Sequence, residues 1–87
     1  MTRSAVFSSI VVDADGDVWT TNLGTDNLSR IDGATGDATT IGDASIFNGP
    51  YAIAIGPDGS LFVANSNDGT ISKLNADGTP ADFEFEP

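Results

Sequence analysis

The sequence predicts an all-β chain built from two four-stranded antiparallel units, and three observations predict it. An ordered pattern of apolar, turn and basic residues occurs twice at an offset of 43 residues, so that Ile10 meets Ile53, Asn22 meets Asn65 and Arg30 meets Lys73. Asp-Gly pairs punctuate short segments rich in β-branched and aromatic residues. No stretch carries helical periodicity of useful length.

Each unit reads as four strands in order. The first is a continuous apolar segment, residues 10–12 and 53–55, a pattern that suits a strand buried on both faces. Asp15-Gly16 and Asp58-Gly59 follow, where Gly tolerates positive φ and Asp tolerates turn geometry. The second strand is expected at residues 18–22 and 61–65, and the third at 28–32 and 71–75. Asp32-Gly33 and Asp77-Gly78 mark the next reversals. The fourth strand, near residues 38–41 and 81–85, is more polar, as suits an outer edge. Pro50, Pro57 and Pro80 all fall at junctions, where a missing N–H does no harm.

Four-stranded units at this spacing fall in the roughly 40–50-residue range of β-propeller blades. The expected organisation is one blade over residues 5–45 and a second over 46–87, an incomplete propeller. A blade must bury both faces against neighbours, so two blades leave two broad faces uncovered. Other blades are therefore expected partners, supplied by self-association or by further chain.

The net charge of the 87-residue chain is −10, from 13 acidic residues against Arg3, Arg30 and Lys73. Such a surface repels phosphate backbones and anionic membranes, so neither nucleic acid nor membrane is expected as a partner. The acidity itself keeps a turn-rich protein soluble. There is no cysteine, which excludes disulfides and thiolate metal sites. There is no histidine, which removes the commonest general base and any Ser-His-Asp triad. No phosphate-cradling glycine motif occurs. No signal peptide is read at the N-terminus, and no apolar run approaches the ~20 residues of a membrane helix.

The segment GPYAIAIGPDGSLFVANSNDGTISKLNADG, residues 49–78, resembles a unit of the NHL-repeat and streptogramin-lyase-like six-bladed propellers. Residues 10–36 repeat the pattern, with DADGDVWTTNLGTDNLSRIDGATG at 13–36. The resemblance implies the propeller fold, and an extracellular or periplasmic setting is common in the family. It is weak for activity, since such propellers include lyases that open cyclic antibiotics, lactonases, kinase sensor domains and plain binding scaffolds. The enzymes among them place acidic, Asn or His residues around the central axis. This chain has no His and only two units. The expected function is thus a non-catalytic repeat module that binds a small molecule or a protein. The alternative is a fragment of a streptogramin-lyase-like or lactonase-like enzyme.

In the resembling families the ligand face is the end that carries the second-to-third loops and the linker between blades. The candidate ligand-binding residues are therefore Asn22, Asn65, Asn48 and Tyr51, with no catalytic residue assigned. The competing account is that these Asn side chains bond to their own loops. Asp13-Ala14-Asp15-Gly16-Asp17 resembles the start of a calcium loop, which makes a divalent cation such as calcium the one cofactor to weigh. The match then fails: Val18 stands at the sixth position, where Gly is needed, and Gly24 at the twelfth, where Glu is needed. A tight turn is the better account. Trp19 and Phe62 hold equivalent positions, which favours packing between blades over sugar stacking. Arg30 and Lys73 are expected to pair with rim Asp residues.

Overall fold

The structure, a computed structural model, describes residues 7–82. Among them the chain is all-β, with a four-stranded and a three-stranded antiparallel sheet and no helix. In chain order the strands are β1 (Phe7–Val12), β2 (Val18–Asn22), β3 (Asn27–Ile31), β4 (Ala38–Ile41), β5 (Pro50–Ile55), β6 (Leu61–Asn65) and β7 (Thr70–Leu74). Both sheets are simple meanders, ordered β1-β2-β3-β4 and β5-β6-β7. Neither closes on itself.

The repeat holds in three dimensions. β5, β6 and β7 begin and end at the sequence counterparts of β1, β2 and β3. Their pairing agrees residue by residue, so Val11 opposite Trp19 becomes Ala54 opposite Phe62, and Val12 opposite Val18 becomes Ile55 opposite Leu61. Each first strand also carries a register shift near its start. In the second unit an isolated bridge joins Leu74 to Pro80, and the Ala81 N–H donates to the Lys73 carbonyl at 3.0 Å. Most of the strand expected at 81–85 lies outside the described residues, as do the outer limits of the two expected blades.

The sheets stack face to face, and one core lies between them. From the first sheet come Trp19 and Leu28, from the linker Phe47, and from the second sheet Ile53, Leu61, Val63 and Leu74. All are buried, at most 7 % exposed. Strand alternation puts Trp19, Thr21 and Leu28 on the inner face of the first sheet. On the opposite face Ile10 is 64 % and Val12 62 % exposed, while Thr20 and Asn22 are buried. That corrects the expectation that residues 10–12 are buried on both sides. The apolar run is present, but within this chain only its inner face meets a second sheet. β5 lies beside β1, and the Ile53 N–H donates to Ser9 Oγ at 3.3 Å.

Candidate functional site

The polar end of the sandwich is built from three connections: β2 to β3, β6 to β7, and the linker into β5. Each second strand ends in Asn. A short loop follows, so the amide lies beside the next strand and can bridge back to it. Asn22 Nδ2 donates to Asn27 Oδ1 at 2.8 Å and Ser29 Oγ at 2.9 Å. Asn65 Nδ2 donates to Thr70 Oγ1 at 3.2 Å and Ser72 Oγ at 2.9 Å. Ser72 Oγ in turn donates to the Ile46 carbonyl at 2.8 Å. Both Asn side chains are buried, which removes water as a competitor and makes these bonds matter.

Four candidate residues were singled out from the sequence, and two of them meet. The Asn48 N–H donates to Asn65 Oδ1 at 3.1 Å, anchoring the linker on the second hairpin. The Asn48 side chain points the other way: its Oδ1 accepts from Asn67 Nδ2 at 3.1 Å, and its Nδ2 reaches Asp68 Oδ2 at 3.4 Å. Asn22 belongs to the neighbouring hairpin. Tyr51 is 58 % exposed, on β5 just beyond the linker. Local bonding therefore engages both ends of the Asn65 amide but only Nδ2 of Asn22, whose Oδ1 is buried with no partner among the described residues, while Asn48 and Tyr51 keep exposed surface.

Asp26 was not singled out, yet it joins the two units. It is the one non-glycine residue with positive φ among those described, at 56°. Its repeat counterpart is Gly69, with φ of 71°. Asp tolerates this left-handed region better than most residues. In that conformation Asp26 Oδ1 accepts the Gly49 N–H at 2.8 Å. An Asp aligned with a Gly at a turn is the signal that could have found it. Asn67 and Asp68 were also missed. Thr70 donates to Asp68 Oδ1 from both hydroxyl and N–H, which holds that carboxyl below the usual carboxylate range, with the hydroxyl the larger cause.

The opposite end holds the Asp-Gly turns. Asp13 Oδ1 accepts the Asp15 and Asp17 N–H groups at 2.9 and 3.0 Å, and Asp13 Oδ2 accepts the Trp19 indole N–H at 2.8 Å. The indole bond is the main cause of a lowered Asp13 pKa. Both oxygens of this carboxylate are thus engaged by turn and indole. Arg30 pairs with Asp17 at 3.1 Å, as rim pairing predicts, and also lies 5.0 Å from the Trp19 ring centroid. Lys73 repeats that placement 5.6 Å over Phe62. Among the described residues no group of three His, Cys, Asp or Glu side chains is arranged to hold a metal.

Fold and site together define a class: tandem, blade-like antiparallel sheets stacked face to face, with amide- and carboxylate-bearing loops gathered at one end. No family model matches the chain. A segment of 33 residues is 52% identical to Virginiamycin B lyase from Mycobacterium sp. strain KMS, covering 38% of this chain and 12% of that protein. The Virginiamycin B lyases of Mycobacterium sp. strains JLS and MCS are similar to the same extent, again over 12% of their length.

Proposed function

We propose that this chain is a non-catalytic β-propeller repeat module, two blades of a larger or oligomeric propeller, that binds a small molecule or protein through its polar loop end. The observation that carries this reading is the strand-for-strand and register-for-register equivalence of the two stacked sheets. Units that repeat so closely pack on further units of the same kind. The resemblance to six-bladed propellers adds that three such pairs would complete a ring. Asn48, Tyr51 and Asp68 are the exposed loop-end groups available for a polar ligand, and Asn22 and Asn65 hold the loops beneath them. The absence of His in the sequence and the self-engaged amides favour binding over acid–base chemistry.

The similarity to Virginiamycin B lyases favours one second reading, a fragment of a lyase-like enzyme. Incubating the purified chain with virginiamycin B and a divalent cation tests whether this chain is itself catalytic. The module reading expects no ring opening above the buffer blank. Turnover that scales with protein concentration overturns it.

A further inference from the structure

We infer that each chain docks head to tail on a second copy of itself, using the same pair of faces that already meet inside the molecule. The inference rests on the blade reading above and names the partner and the surfaces. The internal interface joins two unlike faces. One carries Trp19, Thr21 and Leu28 from the first sheet; the other carries Ile53, Leu61 and Val63 from the second.

The repeat turns this single interface into a template for two more. Phe62, Ala64 and Ile71 are the counterparts of Trp19, Thr21 and Leu28, and they lie on the outward face of the second sheet. Ile10 and Val18, the counterparts of Ile53 and Leu61, lie on the outward face of the first, where Thr20, the counterpart of Val63, is itself buried. One molecule therefore displays both halves of a contact it has already made once. The outward face of the second sheet is apolar, with Ala52, Ala54 and Ala64 exposed around Phe62 and Ile71. The outward face of the first sheet exposes Ile10 and Val12. The placement of a cation over the ring is repeated as well, Arg30 on Trp19 inside and Lys73 on Phe62 outside.

A contact between unlike faces is heterologous, so it propagates from copy to copy and closes into a ring where the rotation permits. Two-fold pairing of like faces is not what the template gives. The charge of −10 on every copy opposes assembly, so association strengthens as salt screens it.

Sedimentation equilibrium of the intact chain at about 0.05 and 0.5 M NaCl tests this. The expected result is a particle of several times 8.9 kDa whose population rises with salt. Val12→Glu and Ala54→Glu each place a carboxylate on one outward face, at positions that are already exposed. Each variant alone is expected to lose assembly and sediment as a monomer. An equimolar mixture is expected to form a pair and stop there, since each partner keeps the one face the other needs. Ile10→Lys and Ala64→Lys repeat the test should either Glu variant lose its circular-dichroism signature. A wild-type chain that stays monomeric at both salts overturns the inference, and so does a mixture that fails to pair. Self-pairing by one variant alone also overturns it, because that signals contact between like faces. Trp19 fluorescence separates the failures: a monomer with buried, blue-shifted emission loses only this inference, whereas solvent-exposed emission removes the stacked-blade reading beneath it.

Discussion

Trp19 donates its indole N–H to the Asp13 carboxylate across 2.8 Å, tying the largest core side chain to the turn that leads into its own strand. The same carboxylate receives two turn N–H groups. Asp13→Ala should leave the buried indole N–H without its acceptor and cost about 1–3 kcal/mol. Asp13→Asn retains a side-chain oxygen and should cost less. Urea unfolding followed by Trp19 fluorescence reads both, and equal losses would show that the charge and not the oxygen is what matters.

Acid should unfold the protein. Asp13, Asp32, Asp43, Asp58, Asp68 and Asp77 all sit below the ordinary value of 3.8, each chiefly because an N–H or hydroxyl donor bonds its charged form. Lowered folded values mean that the unfolded chain binds protons first on acidification. Their stabilising effect is fully present above 3.8 and is lost as the pH falls through the depressed folded values. Thermal melts should give a nearly level midpoint from about pH 7 to 5 and a decline below about pH 4. A midpoint that rises below pH 4 would mean that relief of acidic repulsion outweighs the lost bonds.

Thr21 is wholly buried beside Leu28, and its hydroxyl has no hydrogen-bond partner among the described residues. Its repeat counterpart is Ala64. Thr21→Val keeps the shape and removes the unpaired hydroxyl, so it should stabilise by about 1 kcal/mol. The denaturation midpoint should move up with an unchanged slope.

Gly78 has a φ of 90°, and a β-carbon there would stand 3.0 Å from Trp19 Cη2. Gly36 has a φ of 80° but open space around it. Gly36→Ala should cost about 1–2 kcal/mol from backbone strain alone. Gly78→Ala adds displacement of a buried ring and should cost clearly more. Equal losses would place the Gly78 turn away from the core.

Asn65→Ala removes three bonds at once: from the Asn48 N–H, to Thr70 and to Ser72. At a site 3 % exposed this should cost about 2–3 kcal/mol and loosen the linker. Hydrogen exchange at the Asn48 amide should quicken more than at amides in β2. Uniform acceleration instead would show a global effect.

Much of the fold was legible because strand alternation and Asp-Gly turns are local signals. Residues 18–22, 61–65 and 38–41 are strands as their composition predicts, and β3 and β7 begin and end one residue earlier than expected. The early halves of β1 and β5 were missed because Phe7-Ser8-Ser9 and Pro50-Tyr51 lack a continuous apolar run and carry the register shifts. The candidate site was legible only in part. Asn22 and Asn65 stand out by composition, but whether an amide faces solvent or its own hairpin depends on the register with the next strand. Asp26 escaped notice because its importance lies in a left-handed backbone and a bond to Gly49, far away in sequence.

The core described above lies between the sheets and not within either one. Trp19 and Leu28 find their neighbours across the gap, as do Ile53, Leu61 and Val63. Cutting the chain in the linker should therefore give two peptides that are separately unstructured yet regain order when mixed, since neither half contains a dry interior of its own. Heat and denaturant should accordingly meet one indivisible cooperative block, with no stage at which one sheet survives the loss of the other.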